Sequence, residues 1–66
     1  MSVQDKVARY ITDNGIKQAF ICQQTGISKN ALSAMLNSQR KMSVNEFEQI
    51  CRALKTRPGL FIDEVS

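Results

Sequence analysis

The apolar residues of this chain recur at the spacing of an α-helix, and turn residues interrupt the pattern at short intervals. In the first stretch the recurring residues are Val3, Val7, Tyr10 and Ile11. Ser2 is suited to cap this helix, with Asp5 as the acidic member of a capping box. Asn14 and Gly15 then supply the residues that commonly end a helix. The pattern therefore predicts an amphipathic helix at the start of the chain.

Two shorter patterns follow. The second begins at Ile16 and is closed by Gly26, which predicts a helix over about residues 17–25 with these side chains inward: Ala19, Ile21, Cys22 and Thr25. Ser28 is a good N-cap for a third helix over about residues 28–36, whose inward side chains are Leu32, Met35 and Leu36. The side chains predicted to face outward are polar or small: Lys29, Asn30, Ser33, Ala34 and Asn37.

The remainder of the chain predicts one longer and one shorter helix. Ser43 and Glu46 have the spacing of a capping box, and an apolar stripe follows, consisting of Val44, Phe47, Ile50, Cys51 and Leu54. Pro58 suits the first position of a helix and opens a last short element that carries Phe61 and Ile62. No stretch alternates apolar and polar residues as a strand does. We therefore expect an all-α fold of five short helices around one core, with residues 1–66 forming a single domain.

Length and composition exclude several classes of function. The 66 residues suffice for one small domain, and no leader or long apolar stretch is evident, so we expect a cytoplasmic protein and no membrane partner. Cys22 and Cys51 are far apart and the chain has no histidine, which disfavours a metal site. Free buried thiols are expected, with a disulfide as the alternative. Without histidine or a paired acid and base we expect neither an enzyme nor a cofactor.

The charges are unevenly distributed along the chain. The net charge is only +3, but residues 14–45 contain no Asp or Glu and four basic residues: Lys17, Lys29, Arg40 and Lys41. The rest of the chain holds five basic and six acidic residues, which nearly balance. A positive excess confined to one contiguous stretch indicates a surface that faces an anion.

The helices on either side of Gly26 have the pattern of a helix-turn-helix. Two short helices joined by a tight turn that contains glycine cross steeply, so the second can project from the body of the domain. Cys22 supplies a small residue where the helices pack, and Ile27 supplies an apolar plug in the turn. The outward face of the second helix carries no acidic or long apolar side chain that would block entry into a DNA groove.

The segment from Ile16 to Asn37 resembles the helix-turn-helix of the phage-repressor and Cro family, also called the Xre family. The matching positions are Ile16, Gln18, Gly26, Ile27, Ser28, Leu32 and Asn37. The similarity extends over nearly the whole chain and implies a lambda-repressor-like fold whose recognition helix begins near Ser28. The chain departs from the family pattern at Lys17 in place of Ser or Thr, Cys22 in place of Ala, Ser38 in place of Gly, and Met42 in place of Pro.

The resemblance also implies roles for individual residues. Base edges in the major groove would be read by Lys29, Asn30 and Ser33, with the methyl group of Ala34 against thymine. Asn pairs well with adenine and Lys with guanine. Phosphates would be held by Lys17, Gln18, Asn37, Arg40 and Lys41, and Gln18 would also brace the start of the recognition helix. Phe20 and Leu60 stand where the family is normally polar.

The resulting prediction is a sequence-specific transcriptional regulator, bacterial or phage-encoded and associated with the nucleoid, that acts as a repressor. One small module covers too little DNA for high affinity, so we expect a homodimer on a pseudo-palindromic double-stranded operator. The dimer interface is expected in the segment from Pro58 onward, at Leu60, Phe61 and Val65. The competing hypotheses are a DNA-binding antitoxin and a protein-interaction module that uses Phe20 and Leu60.

Ordinary structural roles remain as alternatives for these residues. Lys29, Asn30 and Ser33 could form a solvated helix face, and Gln18 could simply cap its helix. Arg40 and Lys41 could be surface cations without a partner. Phe20 could pack against the first or fourth helix, and Leu60 with Val65 could end the core.

Overall fold

The computed structural model describes residues 2–62, and this part of the chain is helical without a strand. The four α-helices are α1 (Val3–Asp13), α2 (Gln18–Thr25), α3 (Lys29–Leu36) and α4 (Val44–Leu54), and a 3-10 turn, Pro58–Leu60, follows them. The expected all-α fold is confirmed. The expected fifth helix is wrong, because that element is a single turn in which the N–H of Phe61 bonds to the carbonyl of Pro58. Pro58 and Gly59 have the poorest helix propensities, which explains why no α-helix forms there.

Serine residues cap three of the helices. The Oγ atoms of Ser2, Ser28 and Ser43 accept hydrogen bonds from backbone N–H groups three residues later, each at 3.1 Å. At α4 the capping box is complete, because a Glu46 carboxylate oxygen accepts from the Ser43 N–H at 2.9 Å. Lys17 stands at the N-cap of α2 and makes no side-chain cap. Local sequence signals therefore set the start of α1, α3 and α4.

The core is formed by side chains from every element except the 3-10 turn itself, and Phe61 directly after that turn completes it. The buried residues are Val7, Ile11, Ile21, Leu32, Met35, Ile50, Cys51 and Phe61. The Phe61 ring meets Tyr10 and Phe47 edge to face, with centroid distances of 5.4 and 6.2 Å. Aromatic pairs of this geometry are stabilising beyond the area they bury. The end of the described chain is thereby fastened to α1 and α4.

This packing corrects the prediction for Phe61. Phe61 was expected at a dimer interface, but only 2% of its surface is exposed, so it belongs to the core. Leu60 beside it is 59% exposed and stays a candidate for the interface. Val65 lies outside the described residues.

Two further positions differ from the predicted pattern of inward and outward residues. Ala19 is exposed although it was predicted inward, and Val44 is 74% exposed although it was placed in the apolar stripe of α4. Both lie in the first turn of a helix, beyond the packed part of the core. Phe20 is 45% exposed, so neighbouring helices cover it only in part.

The thiols of Cys22 and Cys51 are both free, as predicted. Cys51 is buried, and desolvation raises the pKa of its thiol. Within residues 2–62, no three side chains of the metal-binding types cluster together. The same residues form no helix long and apolar enough to cross a membrane.

Lys55 ends α4 in the left-handed conformation (φ 57°, ψ 40°), which costs a residue with a Cβ atom about 1 kcal/mol or more. Replacing Lys55 by glycine should therefore raise the free energy of unfolding by about 0.5–1 kcal/mol, after allowance for the greater entropy of unfolded glycine. In a domain of this size, each kcal/mol corresponds to about 4–8 °C in Tm. Thermal and urea unfolding followed by circular dichroism measure the gain.

Lys55→Ala is the matched control, because alanine removes the same charge but keeps the strained Cβ. Its stability should stay close to that of the parent chain. An equal gain from alanine and glycine would show that the charge, and not the backbone conformation, limits stability here.

Candidate nucleic-acid interface

The turn between α2 and α3 is built by Gly26 and Thr25. Gly26 has φ 78°, a left-handed conformation that glycine adopts without strain, and its N–H bonds to the Cys22 carbonyl at 2.8 Å. Thr25 Oγ1 donates to the Ile21 carbonyl at 2.8 Å and accepts from the N–H of Ile27 at 3.2 Å. These bonds hold the turn closed, and Ser28 then begins α3. The predicted helix-turn-helix is present.

Helix α3 has one buried face and one open face. Leu32 and Met35 are completely buried, which fixes the helix on the domain. The opposite face carries all five side chains predicted there, of which Lys29, Asn30 and Asn37 are exposed and Ser33 and Ala34 are half-buried. We call Lys29, Asn30, Ser33 and Ala34 the reading face.

The side chains of the reading face form few hydrogen bonds with the rest of the described protein. Asn37 Nδ2 approaches Ser33 Oγ at 3.5 Å, at the limit of a hydrogen bond. The side chains of Lys29 and Asn30 form neither hydrogen bonds nor ion pairs within residues 2–62. Their polar groups remain available to a ligand.

The predicted phosphate-binding residues fall into two groups at opposite ends of the helix pair. Lys17 and Gln18 lie where α2 begins, and within the described chain their side chains form no hydrogen bond. Asn37, Arg40 and Lys41 lie in the segment that follows α3. We call residues 37–42 the exit loop. Along the chain, one group thus precedes α3 and the other follows it.

Ser38 gives the exit loop its course. It has φ 61°, in the left-handed region that favours glycine, and its N–H bonds to the Met35 carbonyl at 3.2 Å. The next N–H, that of Gln39, bonds to the Ala34 carbonyl at 2.8 Å. This is the pattern of a helix C-terminus that glycine normally ends. Ser38 stands here in place of the glycine of the family pattern, and the backbone still adopts the left-handed conformation.

Side chains from α1 anchor the exit loop. Gln4 Nε2 donates to the carbonyl of Met35 and, at 2.6 Å, to that of Arg40. Gln4 Oε1 accepts from the N–H of Met42 at 3.1 Å. Asp5 accepts a hydrogen bond from Ser38 Oγ at 3.0 Å. Local sequence patterns do not indicate these contacts, since they join residues 31 to 38 positions apart.

Arg40 is tied to α4. Its guanidinium contacts a Glu46 carboxylate oxygen at 3.1 Å, and both side chains are partly exposed. The other oxygen of the same carboxylate belongs to the capping box of α4. The hydrogen bond from the Ser43 backbone is the main cause that lowers the pKa of Glu46, and Arg40 adds to it. Of the two exit-loop cations, Arg40 thus has a protein partner, whereas Lys41 has none within the described residues.

With this geometry established, comparison with known proteins identifies the family. A family model for the Cro/C1-type HTH DNA-binding domain matches residues 6–63. The chain belongs to this family. The match includes α2, α3 and every predicted DNA contact, whereas Gln4 and Asp5 precede it. No match was found among curated proteins or among solved structures.

The contact between Asp5 and Ser38 makes the exit loop sensitive to acid. Hydrogen bonds from Ser38, and secondarily from Ser2, lower the pKa of the Asp5 carboxyl. A lowered pKa means that the ionised carboxyl stabilises the fold, and this contribution is lost as the pH falls through the folded-state pKa. In Ser38→Ala the pKa of Asp5 should therefore move up toward its ordinary value, as measured by NMR titration of the carboxyl carbon.

Glu46 serves as the internal control, because its hydrogen bonds come from other residues and its midpoint should stay unchanged. The stability difference between Ser38→Ala and the parent chain should shrink on acidification. An Asp5 midpoint that is identical in both proteins would contradict the Asp5–Ser38 hydrogen bond.

Proposed function

We propose that this domain is a sequence-specific regulator of transcription that inserts α3 into the major groove of double-stranded DNA. The observation that carries the proposal is the reading face: short polar side chains, largely unused by the protein, on the projecting helix of a Cro/C1-type domain. The major groove accepts an α-helix and displays a distinct hydrogen-bond pattern for each base pair. An acidic residue on this face would repel phosphates, and residues 14–45 contain none.

The spacing along α3 supports the assignment of base contacts. Lys29 and Ser33 lie four residues apart, as do Asn30 and Ala34, so each pair shares one side of the helix. Lys29 and Asn30 occupy the first turn, which enters the groove first in helix-turn-helix proteins. Asn30 is suited to adenine and Lys29 to guanine, and Ala34 offers a methyl group to thymine.

The two phosphate-binding groups set the position of the helix. At the start of α2, Lys17 and Gln18 lie beside N–H groups that have no acceptor inside the helix, which favours an anion there. At the other end, Asn37 and Lys41 extend from the exit loop. Arg40 uses part of its guanidinium for Glu46, and its remaining N–H donors are free to hold a phosphate. Contacts to the backbone on both sides of α3 fix its register on the duplex.

We further propose that the domain acts as a homodimer and represses by occluding a promoter. A single module of this size buries roughly 600–1,000 Å² on DNA, too little for tight specific binding, and a dimer doubles it. Leu60 supports an interface beside the 3-10 turn, because it is large, apolar and 59% exposed. The exposed ring of Phe20 favours the competing hypothesis of a protein-interaction module, for which DNA binding would be absent.

Selection of bound duplexes from a random oligonucleotide pool tests these proposals together. The wild-type domain should enrich one motif arranged as an inverted repeat, with half-sites about one helical turn apart. Lys29→Ala combined with Asn30→Ala should lose enrichment at the contacted base pairs, because each base contact contributes about 1–3 kcal/mol of discrimination. Circular dichroism should show unchanged helicity, since neither side chain is packed.

Lys55→Ala combined with Asn45→Ala is the matched control. It removes the same two exposed residue types from α4 and its C-cap, and the enriched motif should match that of the wild type. Enrichment of a single half-site would contradict the dimer. Unchanged selectivity in the Lys29 and Asn30 variant would contradict the reading face.

A further inference from the structure

One side chain of α1 forms hydrogen bonds with three backbone groups, one at the end of α3 and two in the exit loop. The Gln4 amide donates to the carbonyls of Met35 and Arg40 and accepts from the N–H of Met42. Met35 lies in the last turn of α3, where carbonyls lack partners within the helix. The side-chain amide of Gln4 thus links the last turn of α3 to Met42, at the far end of the exit loop.

Lys41 lies between the two loop groups that Gln4 binds. The carbonyl of Arg40, before Lys41, and the N–H of Met42, after it, both form hydrogen bonds with the side-chain amide of Gln4. The peptide planes on both sides of Lys41 are therefore fixed, and with them the direction of its Cα–Cβ bond. The Lys41 side chain is exposed and has no protein partner within residues 2–62.

The other anchors of the exit loop do not reach Lys41 in this way. Asp5 holds Ser38 at the start of the loop, and Glu46 holds the side chain of Arg40. Among the hydrogen bonds of residues 2–62, only those of Gln4 join the last turn of α3 to Met42, the residue beyond Lys41. Gln4 therefore fixes the position of Lys41 relative to the reading face.

We propose that Gln4 is a positioning residue for DNA binding, which holds Lys41 so that its phosphate contact forms together with the base contacts of α3. This inference rests on the proposed function and adds to it a residue that does not touch DNA. Gln4 also lies before residues 6–63, the part of the chain that the family model matches.

The test compares Gln4→Met, Lys41→Ala and the double variant with the wild type. Methionine has nearly the length of glutamine but forms none of the three hydrogen bonds. Dissociation constants are measured over a range of salt concentrations on the selected duplex and on an unrelated duplex of equal length. Loss of one phosphate contact lowers the slope of log K against log salt by about one and weakens binding similarly on all sequences.

Gln4→Met should reproduce both effects of Lys41→Ala, with Kd raised about tenfold at moderate salt, as expected for loss of a charged hydrogen bond. In the Lys41→Ala background, Gln4→Met should have no further effect. Ile50→Val is the control for stability, because it weakens the core away from the loop, and it should keep the wild-type salt slope. If Gln4→Met does not fold, Gln4→Asn replaces it, since it retains an uncharged amide on an arm one methylene shorter.

A variant at Gln4 that folds and keeps the wild-type slope, or whose effect adds in full to that of Lys41→Ala, overturns the positioning role. That outcome leaves the proposed function standing, because the wild-type domain still binds DNA. A wild-type domain that binds no duplex at low salt overturns the proposed function and this inference with it.

Discussion

Leu32 and Met35 lie three residues apart on α3, and neither exposes any surface to solvent. Their burial holds α3 on the domain by one side only. Truncating a side chain buried to this extent typically costs about 2–5 kcal/mol, and a domain of this length rarely has more than about 3–5 kcal/mol of stability to lose. The position of α3, and with it the base contacts proposed for this helix, therefore depends on these two residues.

The ends of α3 are fixed by weaker and more specific interactions. At its start, the left-handed Gly26 and the two hydrogen bonds of Thr25 set the direction in which the helix leaves the turn. At its end, Gln4 and Asp5 hold the exit loop from α1. Each of the neutral hydrogen bonds of Thr25 and Gln4 contributes about 1 kcal/mol, which is small beside core burial. The main effect of the Gln4 bonds is to hold the exit loop, and we propose that they thereby set where Lys41 lies relative to the reading face.

Much of the fold could be predicted because its signals are local. Serine caps and glycine turns lie within four residues of the backbone groups they bind, so the end of α2 and the start of α3 follow from local signals. The residues of the reading face could also be predicted, because helical periodicity places them away from the buried side chains of Leu32 and Met35. The roles of its residues in DNA binding stay predictions.

The predictions fail where neighbouring residues do not show which side chain is buried. Leu60, Phe61 and Ile62 are consecutive apolar residues without a period, so nothing in the sequence indicates that Phe61 is inward while its neighbours are exposed. Phe61 is the buried residue of the three because its ring packs against those of Tyr10 and Phe47, both distant in sequence. The contacts of Gln4 were missed for the same reason.

The central claim is that α3 and the two groups beside it form the DNA-binding surface. NMR titration of the isotope-labelled domain with the selected duplex tests it most directly, through intermolecular contacts between side-chain protons and groove protons. Lys29, Asn30 and Ala34 should contact major-groove protons, and amide shifts should be concentrated at residues 17–18, 28–34 and 37–42. Contacts centred instead on Phe20 or Leu60, with α3 unperturbed, would contradict it.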